Sequence, residues 1–143
     1  MNANDIGWNM ISEKYARMME SNDPIGYLTV KDCLPVIDEQ RKLIQEEIIQ
    51  IQVKWMEEFA YLYPKLAYNA RSIRSEDDEI DNTSYETYLR GEMSTYSEKT
   101  FILYSGFIIS LLKEQRNLAK EIMEQTAKLY GYESLQEAEE KLN

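Results

Sequence analysis

The stretch LPVIDEQRKLIQEEIIQIQVKWMEEFAYL, residues 34–62, decides the fold. Ile37, Ile44, Ile48, Ile51, Trp55, Phe59 and Leu62 follow one another at steps of seven, four, three, four, four and three. Side chains spaced this way share one stripe of a 3.6-residue helix, so the spacing predicts a single long helix over 34–62. A second row, Ile49, Val53, Met56 and Ala60, widens the apolar face. A face that wide is covered from two sides, which makes this the central helix. Tyr63-Pro64 closes it, because proline cannot continue the hydrogen-bond ladder.

The flanks carry the same helical signals. Residues 5–20 read as a first helix, with Trp8, Ile11, Tyr15 and Met18 on one face and Asn4 or Asp5 as the cap. Ser21-Asn22-Asp23-Pro24 stops it. Thr83-x-x-Glu86 reads as a capping box opening a short helix over 84–93. Ser97 caps a helix over 98–115, whose apolar row includes Phe101, Tyr104, Ile108, Leu111 and Leu112. Asn117 caps another, running to Tyr130, and Gly131 supplies the left-handed residue that ends it. Ser134-x-x-Glu137 opens a last short helix to about Leu142. With 5 Gly and 3 Pro in 143 residues and no strand pattern, the expected fold is all-α. It is a compact bundle of five to six helices around the long central one, in a single domain spanning residues 1–143.

Composition excludes much. The formal net charge is −10, and no basic stripe offsets it, so neither a nucleic-acid backbone nor an anionic membrane surface is an expected partner. The longest apolar run, residues 107–112, is too short to span a bilayer. Residues 1–9 lack the apolar core of a secretion signal, and a cytoplasmic location is the expectation. There is no histidine and one cysteine, Cys33. Serine–histidine catalysis, zinc ligation by histidine or paired thiolates, and the Glu-x-x-His di-iron site are therefore closed to this chain. No cofactor or metal is expected. Glu46, Glu47, Glu121 and Glu124 read as solvated faces, and Cys33 as packing.

Residues 65–82 have no period. A connection this long is functional, disordered or mis-assigned as a loop. It leads into RSIRSEDDEIDNTSYETYLRGEMSTYS, residues 71–97, the stretch richest in chemistry. Its acids fail as a calcium loop. Counting from Asp77, the place that needs glycine is Asn82 and the place that needs glutamate is Tyr88. A solvated acidic loop is the expectation, with weak magnesium binding as the remaining metal reading.

The candidate binding residues are Arg71, Arg74, Tyr85, Tyr88, Arg90 and Tyr96. A guanidinium grips a carboxylate or phosphate with two parallel bonds, so three nearby arginines in an acidic chain suggest a small anionic ligand. The plainer reading of Glu86 and Arg90 is a helix-surface ion pair worth about 0.3 kcal/mol. Catalysis from the same pocket would use Glu86 or Glu92 as general base, which needs a carboxyl raised by burial. Gly91 costs its helix about 1 kcal/mol relative to Ala, so either another helix or a ligand approaches there. A third reading is a structural module pairing with itself through exposed apolar helix faces.

The string Thr83-Ser84-Tyr85-Glu86-Thr87-Tyr88-Leu89-Arg90-Gly91-Glu92 resembles a bacterial family of domains of unknown function, number four-one-two-five of that series. The likeness continues through Thr95-Tyr96-Ser97, Asn117-Leu118-Ala119 and Tyr130-Gly131-Tyr132. It reaches back over Trp55, Tyr63-Pro64, Arg71, Ser75-Glu76-Asp77 and Ser12-Glu13-Lys14-Tyr15-Ala16, and so covers most of the chain. The resemblance brings no activity with it. It implies members that are longer at the N-terminus, hence an absent helix and a homodimer that covers the first helix. It also implies relatives joined to a nucleotidyltransferase-like domain, and with them a nucleotide or anionic-metabolite context.

Overall fold

The computed structural model describes residues 9–142. In chain order the helices are α1 (Met10–Asn22), α2 (Pro24–Tyr27), α3 (Glu39–Leu62), α4 (Pro64–Tyr68), α5 (Tyr85–Ser94), α6 (Glu98–Lys113), α7 (Leu118–Leu129) and α8 (Leu135–Glu140). Among the described residues the sole extended pairing is an isolated bridge between Glu79 and Asn82. The all-α expectation holds, with five long α-helices and three short ones among the described residues. No helix among the described residues is long and apolar enough to cross a membrane.

The central helix begins five residues later than its apolar stripe suggests. Asp38 accepts from the Gln40 N–H and caps it, while Lys31–Cys33 forms a 3-10 turn and Leu34 is extended. Pro35 explains the difference, because the residue before a proline is pushed out of the helical region. The stripe is buried only in its middle. Ile48, Trp55 and Phe59 are buried, as are Ile49 and Val53 of the second row, whereas Ile44 and Leu62 at the ends are exposed.

Two apolar clusters share α3. The larger gathers Ile48, Ile49, Val53 and Trp55 with Leu89 and Met93 of α5, Phe101, Ile108 and Leu111 of α6, and Ala119 of α7. The smaller joins Phe59 to Ala127 of α7 and to Leu135 and Ala138 of α8. Met56 packs against both. Of the expected face of the first helix, Ile11 and Tyr15 are 66% and 55% exposed, because α1 turns Ala16 and Met18 inward instead.

Caps follow the sequence closely, with shifts where tertiary contacts compete. Asn9 caps α1 by accepting from the Ser12 N–H; the expected caps Asn4 and Asp5, the expected start at residue 5 and Trp8 lie outside the described residues. Ser97 and Asn117 cap α6 and α7 as expected. Asn117 also donates to the Trp55 carbonyl at 2.9 Å, which fixes the start of α7 against α3. Gly131 has φ 91° and ends α7. The Gly131 and Tyr132 N–H groups donate back to Lys128 and Ala127, a complete Schellman closure. Ser134 caps α8, but Glu137 accepts from the Glu133 N–H. Glu139 of α8 accepts from the Lys65 and Leu66 N–H groups and so caps α4.

Candidate functional site

The aperiodic segment over 65–82 is held in place by backbone bonds and by the carboxylates of Asp78 and Glu86. Residues 64–68 are helical, Ser75–Asp77 makes a 3-10 turn, and Glu79 and Asn82 pair through both backbone N–H groups. The Tyr85 and Glu86 N–H groups donate to the Ser72 and Ile73 carbonyls at 2.7 and 2.9 Å, so the loop itself satisfies the first turn of α5.

Ser84, not Thr83, is the N-cap; its hydroxyl accepts from the Thr87 N–H. The expected capping box does not form because Glu86 turns away to the loop. Its Oε1 accepts from the Ser75 N–H at 3.0 Å.

Asp78 is the hub of this region, and nothing in the acid run marks it out from its neighbours. Its Oδ1 accepts from the Ser84 N–H at 2.7 Å, and its Oδ2 accepts from the hydroxyls of Ser21 and Thr87. One carboxylate therefore ties α1, the loop and the start of α5. Burial pushes its carboxyl up, but the bonds from Ser21, Thr87 and Ser84 outweigh that and leave it below its ordinary value.

The arginines do not converge on one open pocket. Arg90 grips both oxygens of Glu46 at 2.5 and 2.8 Å and donates to Glu86 at 2.6 Å. Its partner on its own helix is the more deeply buried of the two, with 9% of the Glu86 side chain exposed. The pair expected on a helix surface is thus the inner half of a clasp between α5 and α3. Arg74 grips Glu57 at 3.1 and 2.7 Å and donates to the Gln50 carbonyl oxygen at 2.7 Å. Gln50 in turn donates to Glu86 at 3.2 Å, linking the two arginine pairs through α3.

Glu86 is the hinge of that chain and an unfavourable proton acceptor. Burial would raise its carboxyl, but the Arg90, Ser75 and Gln50 donors together hold it below the ordinary range. The hydrogen bonds to Glu46 push the Arg90 guanidinium above its ordinary value, so the clasp stays charged. Glu92 is half-buried in α5, near Tyr85 and Tyr96.

Tyr85 and Tyr96 pack against the larger cluster, and burial raises both phenols. Tyr96 also meets the Tyr104 ring edge-on, with centroids 5.5 Å apart. Arg71 stands apart. Its guanidinium lies 4.7 Å from the centre of the Tyr88 ring, and among the described residues it has no carboxylate partner. The Lys14 amino group lies 4.4 Å from the same ring centre and donates to the Tyr88 hydroxyl at 2.9 Å. Two cations thus flank one ring, at the edge of a shallow cleft of about 270 Å³ that Asp81, Asn82 and Thr83 also line.

The larger cavity lies on the other side of α5, between α1, α3 and the loop, with a volume of about 620 Å³. Arg17, Lys42 and Arg90 bring positive charge to its wall, Glu20 and Glu46 negative. Gln45 lines it too; its amide donates to Ser94 Oγ at 2.8 Å, while its carbonyl oxygen is buried without a partner. Gly91 is a packing glycine: a Cβ there would meet Met18 Cγ at 2.8 Å and the Lys14 carbonyl at 3.0 Å. The close approach is that of α1.

Two buried glutamines and a half-buried arginine escape the sequence reading. Gln45 and Gln52 are each 3% exposed, seven residues apart on the stripe-bearing helix. The Tyr104 hydroxyl donates to Gln52 Oε1 at 2.6 Å. Arg41 lies over the Phe101 ring and donates to the Met93 and Tyr96 carbonyls, which end α5. The available signal is the heptad placement of the glutamines inside an otherwise apolar face.

The sequence model of a family described as protein of unknown function, DUF4125, matches residues 1–140, and the chain belongs to that family. No curated protein and no solved structure matches it.

Proposed function

Starting from membership of a family without an assigned activity, we propose that this chain is a helical binding domain for a small anionic metabolite that also carries a hydrogen-bond donor. The ligand occupies the cavity between α1, α3 and α5. The observation that supports this reading is Gln45, whose carbonyl oxygen is buried without a donor in a residue that lines the cavity. A buried acceptor left unpaired costs about 1–3 kcal/mol, a cost that an incoming N–H or O–H group removes. Lys42 supplies the anion's partner. Its contact in the free chain is a 3.3 Å approach to the exposed Glu39, so it can turn to a ligand at little cost. The volume of about 620 Å³ falls in the range of small-molecule sites. Arg90 acts here as a wall, because Glu46 and Glu86 already occupy its Nε and Nη2 donors and neutralise its charge.

A second place for an anion is the Arg71–Tyr88 cleft, favoured by a guanidinium without a carboxylate partner. One thermal-shift screen separates the two. Nucleoside monophosphates, inorganic phosphate and small dicarboxylates are the probes. A ligand at 100 times its dissociation constant adds about 2.7 kcal/mol, or several degrees in Tm. The expected result is a shift lost in Gln45→Leu and Lys42→Ala and retained in Arg71→Ala. Loss in Arg71→Ala alone moves the site to the cleft. A flat response across the panel at millimolar concentrations rejects both placements.

A further inference from the structure

The cavity between α1, α3 and the loop holds one acid and one base that do not neutralise each other. Arg17 on its wall is engaged by Glu13 at 2.7 Å and donates to the Pro35 carbonyl at 2.5 Å. Arg90 is neutralised by Glu46 and Glu86. That leaves Glu20 in the last turn of α1 and Lys42 in the first turn of α3. Glu20 has no ion-pair partner among the described residues, and the side chain of Lys42 reaches only the exposed Glu39. Tyr27 lines the cavity with them, and its hydroxyl makes no hydrogen bond among the described residues. Burial holds that phenol above its ordinary value and Glu20 acts the same way, while Arg17 and Lys42 act against them. The hydroxyl is therefore protonated at neutral pH, a donor lying in the field of both charges. The Ser94 hydroxyl donates to the Arg90 carbonyl at 2.7 Å, so its oxygen accepts from the Gln45 amide at 2.8 Å. That pairing leaves the Gln45 carbonyl oxygen as the unpartnered end of the amide.

We propose that the ligand of this cavity is an acidic α-amino acid, whose primary ammonium group is the donor that Gln45 lacks. The proposal rests on the cavity reading above and names the chemistry of the donor it requires. Lys42 and Gln45 stand three apart on α3, with about 5–6 Å between Cβ atoms, so a cation and an acceptor are presented side by side. The carboxylate and ammonium groups on one α-carbon are adjacent in the same way. The α-carboxylate takes Lys42, the ammonium group takes the Gln45 carbonyl oxygen and faces Glu20, and the second acid group takes the Tyr27 hydroxyl. A neutral N–H or O–H would satisfy Gln45 but leave the Glu20 carboxylate facing a negative ligand. An ammonium group turns that repulsion into attraction. It also makes the bond to Gln45 a charge-assisted one, about twice as strong as a neutral one.

Isothermal titration calorimetry of the full chain tests the assignment with three pairs of probes. L-glutamate and L-aspartate carry the ammonium group, L-2-hydroxyglutarate and L-malate replace it by a hydroxyl, and glutarate and succinate have neither. The expected result is an amino acid that binds tighter than its hydroxy counterpart by about tenfold or more, a charge-assisted bond against a neutral one. Glu20→Gln, at an exposed position without an ion pair, weakens the amino acid by about tenfold and does not weaken the hydroxy acid, so the preference disappears. Lys42→Ala weakens both alike. A hydroxy acid that binds as tightly as the amino acid overturns the ammonium assignment and leaves the cavity reading standing. Equal binding of all six removes the donor, and the cavity reading falls with it. No binding of either amino acid at about 10 mM, or a preference that survives Glu20→Gln, overturns the proposal equally.

Discussion

The two ends of α3 are held by different physics. Toward its C-terminus Phe59 is 1% exposed, meets Tyr63 ring to ring at 5.4 Å and packs against Ala127, Leu135 and Ala138. That end is secured by burial of apolar surface, which has no preferred direction. Toward its N-terminus, Gln45, Glu46 and Gln50 face α5 and the loop through hydrogen bonds and ion pairs. That end depends on a few donors and acceptors meeting at the right angles. The apolar end fixes where the helices lie, and the polar end fixes how the 71–97 segment sits upon them.

Substitutions sharpen the contrast. Phe59→Ala should cost about 3–5 kcal/mol in chemical denaturation, because a fully buried ring leaves a cavity that its neighbours cannot close. A loss under 1 kcal/mol would show that the lower cluster tightens freely. Arg90→Ala should cost about 2 kcal/mol, since it strands a largely buried Glu86 while the half-exposed Glu46 returns to water. Replacing Glu86 and Arg90 together by Gln and Met should recover most of that loss. If the double variant is no better than Arg90→Ala, the stranded-charge account fails.

Gly91→Ala and Gly106→Ala form a matched pair on neighbouring helices. The first should destabilise by about 1–2 kcal/mol through the clash with α1, despite the better helix propensity of alanine. The second should stabilise the monomer by about 0.5–1 kcal/mol, as for any exposed helical glycine. Equal effects of one sign would dissolve the distinction between a packing glycine and an open one.

The polar end also responds to pH. Asp78 and Glu86 both have carboxyls lowered by folding. Their contribution is fully present above the unfolded carboxyl value of about 4 and is lost as pH falls through the lower folded values. Thermal stability should therefore drop in that acid window, and Asp78→Asn should both lower the plateau by about 1–2 kcal/mol and flatten the drop. An unchanged acid limb in Asp78→Asn would remove that carboxylate from its role as hub.

Helix positions were legible because capping and periodicity are local. Ser97 and Asn117 cap where the sequence places them, and Gly131 ends α7. The site was legible only in part. Arg90 and Glu86 stand four apart on one helix and do pair, but Glu46, the partner that grips Arg90 twice, is 44 positions away. Arg74 likewise finds Glu57 across the chain. Asp78 is one acid among Glu76, Asp77, Glu79 and Asp81 in sequence, and becomes distinct only because Ser21 and Thr87 come to it.

By itself, then, the sequence determined an all-α chain, its central helix, most of its caps and the absence of histidine chemistry. These follow from spacing along one chain and from which residue types are present. Tertiary structure alone decided which charges are neutralised, which glycine is crowded and which buried acceptor of α3 is left without a donor. Each of those depends on atoms brought together from distant positions, and the strength of a polar contact is set by distance, angle and burial, none of which spacing along the chain encodes.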